Sequence, residues 1–443
     1  MSNRISHHTR RQFLRASASI LVSGPWLARR VSAESPAANE RVNLAIVGAA
    51  NKGWHNVEQL KSENIVALCD VDANFLARAA QTYPAARQYR DYRKMLDAEQ
   101  SHVDAVVVST ADHSHAPASS IALDLGKHVY CEKPLTHTVR EARVVAELAK
   151  RNKRVTQMGT QIHAESNYRR VVELVRSGAI GVVSEVYTWC NKGWSNGRFE
   201  AWDQPVPAHL DWDLWLGPAR YRPYSPNIHP ANWRRFWEYG SGTFGDMACH
   251  VMDLPFWALE LRHPLTVTCE GPEVHPVGAP EWVKATYEFP ANDSRGPVKL
   301  YWCDGGAHFP LVSETKDSHG QSLGRWGLGI LFVGDKGLLA ADYGRWQLLP
   351  QDRFAEFQPP APSIAESIGH WAEWVQGCKT GSPTSCNFDY SGALTEAVLL
   401  GTVAYRTGKR LEWNAAELSV ANVPEAEQFL SKQYRTGFEV VGI

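Results

Sequence analysis

Between residues 43 and 158, short apolar runs alternate with stretches of helical spacing, and this alternation constrains the chain more than any other feature. "VNLAIV" leads through a glycine turn to "GWHNVEQL", "NIVALCD" to "ANFLARAAQTY", "DAVVVST" to "APASSIALDLG" and "HVYCEKP" to "REARVVAELAKR", and the series ends in "RVTQMG". Strands separated by helices in this way pair in parallel through right-handed crossovers, with helices on both faces. The expectation is a doubly wound, mostly parallel α/β domain over residues 41–160. Such sheets bind ligands at the carboxyl ends of their strands.

At the first of those ends stands "GAANKG", Gly48, Ala49, Ala50, Asn51, Lys52 and Gly53. A glycine-rich turn that follows a strand and opens a helix suits a pyrophosphate, because backbone N–H groups and the helix dipole both face the anion. Ala50 stands where the dinucleotide fingerprint has its middle glycine. Asp70, 22 residues after Gly48, ends the second strand; a carboxylate there accepts from ribose hydroxyls and repels a 2′-phosphate. Together these define a Rossmann domain binding NAD in preference to NADP.

"YCEKP" ends the fifth run with Glu132, Lys133 and Pro134. Burying an unpaired ammonium costs several kcal/mol, so a lysine at the mouth of a buried strand is either splayed into water or held for chemistry. In this fold the strand end faces the nicotinamide, with Glu132 as a possible partner charge. From "ESNYRRVVELVRSGAIG" onward the pattern becomes a helix followed by "VVSEVYTWC", "WVKATYEF" and "VKLYW", an α+β domain with a large mixed or antiparallel sheet over 161–443. Within it, "GDMACHVMD", if helical from about Asp246, puts Asp246 and His250 one turn apart with Asp253 continuing the stripe, beside an apolar stripe of Met247, Val251 and Leu254.

These motifs, in this order and spacing, resemble the glucose-fructose oxidoreductase, inositol dehydrogenase and rhizopine-catabolism (Gfo/Idh/MocA) family. "CEKP" is similar to its E-K-P signature, which implies that Lys133 lies beside the reacting sugar hydroxyl. "STADHSHAP" resembles the loop after its fourth strand, which implies that Thr110, His113 and His115 border the cofactor. "GDMACHVMD" resembles its D-x-x-x-H catalytic pair. The expected mechanism has His250 as general base, Lys133 stabilising the developing oxyanion and Asp246 orienting the imidazole or relaying its proton. The resemblance also implies a sheet face buried against a second subunit, hence a homo-oligomer.

Eight of the 17 tryptophans fall between residues 189 and 257. Flat rings stack on sugar C–H faces, so Trp194, Trp202 and Trp233 are expected in a carbohydrate pocket, with Gln161, His163 and Tyr168 lining it from just after the sixth strand. The eight cysteines show no zinc spacing, and no metal site is expected.

The first 33 residues read as an address. "TRRQFLRASASILVSGPWLARRVSA" joins Arg10 and Arg11 to a modest apolar run and a small-residue ending, the grammar of a twin-arginine export signal. With those residues removed, the formal balance of 46 basic and 47 acidic residues becomes 40 against 47, or −7, which argues against a nucleic-acid partner; no later run is apolar enough to span a membrane. An exported, periplasmic or extracellular NAD enzyme has no free nicotinamide pool. It is expected to hold its cofactor tightly and restore it within each cycle, either by oxidising one sugar and reducing another carbonyl, or by redox-neutral glycoside cleavage through oxidation, elimination, hydration and re-reduction. A sugar-binding protein that lost turnover is the third reading, against which intact Lys133, Asp246 and His250 count.

Overall fold

The computed structural model describes residues 40–198 and 203–443; the expected export signal, residues 1–33, and Trp202 lie outside them. Six parallel strands form the first sheet: β1 (Asn43–Val47), β2 (Asn64–Cys69), β3 (Arg87–Tyr89), β4 (Ala105–Val108), β5 (His128–Cys131) and β6 (Thr156–Met158), in the order β3-β2-β1-β4-β5-β6. The central strands are near-continuous apolar runs because helices cover both faces; Ala105–Val108 is buried at every position. The strand Arg87–Tyr89 carries no apolar signal and sits at the edge, where none is required. Helix Val139–Arg151 starts at a capping box, in which Thr138 accepts from the Glu141 N–H and Glu141 accepts from the Thr138 N–H.

The second sheet has nine strands: β7 (Val183–Cys190), β8 (Thr266–Glu270), β9 (Lys284–Phe289), β10 (Val298–Asp304), β11 (Leu328–Gly334), β12 (Gly337–Ala341), β13 (Trp346–Leu349), β14 (Leu411–Asn414) and β15 (Ser419–Val420). Their order is β13-β12-β11-β7-β10-β9-β8-β14-β15, antiparallel except for the parallel pair β7 and β10. Strict alternation of buried and half-exposed residues along β9 marks one covered face. Helices Gly242–Val251 and Phe388–Thr407 pack against this sheet, and the latter also packs on Val139–Arg151 of the first domain. Wedged between two layers, Phe388–Thr407 is buried almost all round.

The C-terminal third also returns to the first sheet. Trp374, fully buried on helix His370–Thr380, packs its ring 5.6 Å from that of Tyr130 on β5. Among the described residues no helix is long and apolar enough to cross a membrane, and the eight cysteines are free thiols.

Candidate active site

The glycine turn is built by steric necessity. Gly48 has φ +86°, and a Cβ there would lie 2.6 Å from the Ser109 carbonyl oxygen; one on Gly53 would lie 2.0 Å from that of Gly48. The chain turns back through Asn51 at φ +52° into helix Lys52–Gln59. Beside this turn, Asp70 accepts from the Ala49 N–H and the Asp72 N–H, each at 2.9 Å. Burial raises its pKa to about 6, against the pull of those two N–H groups. Gly48, Ala50, Asn51, Lys52 and Asp70 line one side of a cleft of about 420 Å³, and Thr110, His113, Trp194, Trp233 and Arg234 contribute to its other walls. A glycine turn opening a helix, a carboxylate at the next strand end and an aromatic wall fit the phosphate, ribose and ring portions of NAD.

The neighbouring loop divides its two histidines. His113 touches the cleft, with Nε2 3.1 Å from the Trp215 carbonyl and burial lowering its pKa to about 3. His115 does not border the cleft as expected. It is buried, with its ring nitrogens 2.8 Å from the Pro134 carbonyl and 3.0 Å from the Thr110 carbonyl, and so ties the two loops together. Glu132 partners groups other than Lys133: it accepts from Asn56 at 2.9 Å and Gln161 at 3.2 Å and lies 3.7 Å from Lys52. Gln161 also donates to the Tyr130 hydroxyl at 3.2 Å and lines a separate open groove.

Lys133 reaches across to the second domain. Its Nζ donates to the Asp246 backbone carbonyl at 2.8 Å and to the Asp246 carboxylate, which leaves one of three ammonium hydrogens for a ligand. Arg234 Nε lies 2.9 Å from the same carboxylate. Burial disfavours ionised Asp246, but Lys133 and Arg234 outweigh it and hold the carboxyl well below the usual range. The structure therefore assigns Asp246 a different partner from the one expected: its carboxylate holds Lys133 and Arg234, while His250 Nδ1 is buried without a hydrogen-bond partner. Burial, then the Lys133 charge, lowers His250 to about 3, so the imidazole is neutral at neutral pH. The helix begins at Gly242, one turn earlier than the polar spacing indicated.

Three expected residues lie behind the site. Tyr168 is fully buried and donates to the His250 carbonyl at 2.9 Å. His163 is also buried, with Nδ1 2.9 Å from both oxygens of Asp253, and stacks on Trp257 at 4.2 Å. Asp253 in turn accepts from the Tyr390 hydroxyl at 2.7 Å, so it leaves the Asp246 stripe and closes a buried network that also holds Cys386. Trp233 carries the Arg234 guanidinium 4.1 Å above its ring.

Arg234, Asp112 and Tyr343 were not among the expected site residues. Arg234 stood in view beside Trp233 in "NWRRFW". Asp112, immediately before His113, is buried with both carboxyl oxygens unpartnered; burial raises its pKa to about 7 against the charges of Arg234 and Lys133. The Tyr343 ring lies 6.4 Å from that of His250, edge-on, with its hydroxyl buried and unpartnered. It sits after β12, and nothing local in the sequence marks it.

A dinucleotide cleft beside a lysine, a carboxylate and a neutral imidazole defines the class of NAD-dependent oxidoreductases. Residues 42–160 match the NAD-binding Rossmann fold of the GFO_IDH_MocA oxidoreductase family, and residues 165–294 match that family's C-terminal alpha/beta domain. The chain belongs to the Gfo/Idh/MocA family. It is 30% identical over 146 residues to inositol 2-dehydrogenase of Salmonella typhimurium, covering 32% of this chain and 43% of that enzyme. It is 27% identical over 180 residues to alpha-N-acetylgalactosaminidase of Shewanella oneidensis, covering 38% and 39% respectively. The alignments thus span about two fifths of the length of these curated relatives. Among solved structures, the WlbA dehydrogenase of Bordetella pertussis in complex with NADH and UDP-GlcNAcA shares the fold, with a TM-score of 0.58 at 16% identity over 84% of this chain and 99% of that one.

Proposed function

We propose that the protein oxidises a secondary hydroxyl of a sugar, polyol or glycoside at the expense of NAD. The observation that carries this reading is the meeting of Lys133, at the end of β5, with the helix that bears Asp246 and His250. Bound NAD supplies the hydride acceptor. His250, held neutral, takes the hydroxyl proton. The remaining Lys133 hydrogen bonds the same oxygen and stabilises the charge that develops there. Asp246 keeps the ammonium ionised and aimed, and Asp70 takes the ribose hydroxyls. Trp194 and Trp233 offer stacking surface for the sugar, and the family's inositol dehydrogenase relatives support a polyhydroxylated substrate.

The alignment with an alpha-N-acetylgalactosaminidase favours a second reading, redox-neutral glycoside cleavage by transient oxidation. Export by the twin-arginine route, with NAD held through every cycle, accords with it, and assembly into a homo-oligomer belongs to both readings. Purified mature protein incubated with myo-inositol and a panel of aryl glycosides separates the two. Net NADH supports oxidation and released aglycone without net NADH supports cleavage; neither product, in protein shown to contain NAD, refutes both.

A further inference from the structure

The C-terminal segment crosses back onto the first domain. Lys432 Nζ donates to the His113 carbonyl at 2.9 Å and lies 3.0 Å from Glu141 Oε1 and 3.3 Å from His137 Nδ1, so all three of its hydrogens are engaged. The Tyr434 hydroxyl donates to Glu141 at 3.0 Å, and the Val441 N–H to the Ser120 hydroxyl at 3.1 Å. This strap closes a cavity of about 350 Å³ that shares no lining residue with the NAD cleft.

Arg406, in the last turn of helix Phe388–Thr407, lines that cavity. Its guanidinium lies 4.1 Å from the Phe429 ring centre and 5.4 Å from that of Trp237, a pair of rings that limits where it can point. Among the described residues no carboxylate pairs with it, and burial alone lowers its pKa to about 10, leaving it charged at neutral pH. Glu238, the one carboxylate on the cavity wall, is engaged by Arg220 and Arg222. Ser241, which precedes helix Gly242–Val251, lines the cavity with a hydroxyl that makes no capping bond. A largely desolvated cation without a counter-charge is costly, and guanidinium groups match planar or tetrahedral oxyanions with paired N–H donors.

We propose that this cavity binds one small oxyanion per chain, a sulfate, a phosphate or the carboxylate of a small acid, with Arg406 as counter-ion and Ser241 as a further donor. The same chemistry has a second source, an Asp or Glu side chain of another copy, and the experiment distinguishes the two.

The test uses full-length mature protein saturated with NAD, so that the pyrophosphate site is filled. Sulfate, inorganic phosphate and gluconate are titrated by calorimetry and by thermal unfolding against chloride at matched ionic strength. Saturable binding of one ion per chain is expected for at least one of them. Arg406→Gln weakens it at least tenfold, Arg406→Lys by less, and neither changes NAD affinity. Crystals soaked in selenate, which need no variant to fold, are expected to show an anomalous peak beside Arg406. The proposal is overturned by non-saturable effects equal to those of chloride, by binding unchanged in Arg406→Gln, or, where sulfate binds in solution, by the absence of a selenate peak in the cavity. An Arg406→Gln variant that changes subunit assembly, with no oxyanion binding in the parent, overturns it in favour of a carboxylate from another copy.

Discussion

Lys133 and Asp246 lie 113 positions apart and bind each other twice, the ammonium donating to both the carboxylate and the backbone carbonyl of the aspartate. Both side chains are nearly buried, at 12% and 10% exposure, a setting in which removing one partner of a pair costs about 3–5 kcal/mol. The two losses are unequal here. Lys133→Ala leaves Asp246 with Arg234, whereas Asp246→Ala leaves two cations facing each other. Thermal unfolding is therefore expected to show a larger loss for Asp246→Ala than for Lys133→Ala, although both abolish most turnover.

His250 is depressed to about 3 from the ordinary 6.5 by burial and by Lys133. Between those values the unfolded chain takes up a proton there and the folded one does not. Its contribution to stability is thus intact above the unfolded pKa and falls as pH drops below about 6.5. His250→Gln removes that proton uptake. Relative to the parent, its unfolding free energy is expected to rise by up to about 1.4 kcal/mol for each pH unit below that point. Denaturant titrations of both proteins at pH 7, 6 and 5 measure the difference.

Asp70, raised to about 6, is an ionised acceptor at neutral pH and a protonated one in mild acid. NAD affinity is expected to weaken as pH falls from 7 to 5, and Asp70→Asn to bind NAD more weakly with that dependence removed. Fluorescence titration of apoprotein with NAD across this range decides it; a parent and variant with the same affinity and slope take Asp70 out of the site.

Tyr168 acts through the backbone that carries His250. Tyr168→Phe deletes one buried hydrogen bond, a loss of about 1 kcal/mol. The expected kinetic signature of a positioning residue is a several-fold fall in kcat with KM for the sugar and NAD affinity unchanged. A shift in KM alone would place the hydroxyl against substrate instead.

The first sheet and its ligand turn were legible because each element is local. An apolar run makes a buried strand, and Gly53 is demanded by the Gly48 carbonyl within the same turn, although Gly48 itself is demanded by Ser109 at the end of a neighbouring strand. Lys133 and His250 were also legible as residues whose chemistry needs a reason. Their partners were not, since Asp246 meets Lys133 only through the packing of one domain on the other, and Asp253 meets His163 only through folding within the second domain, across 90 positions. His163 and Tyr168 follow the sixth strand as a pocket wall would, yet both turn inward, where a carboxylate partners the His163 Nδ1 and a carbonyl accepts from the Tyr168 hydroxyl. Tyr343 left no mark because its role depends entirely on where β12 ends relative to His250.

The central claim is that Lys133 and His250 act on one hydroxyl beside bound NAD, and single-turnover reduction of NAD by a sugar found active in the screen tests it most directly. The parent, Lys133→Ala and His250→Ala are compared at equal, measured NAD occupancy. Each variant is expected to lose about 10³-fold in rate, and the double variant to lose far less than the product of the two, as for residues that serve one step. Full single-turnover rate in either single variant, with NAD bound, contradicts the account.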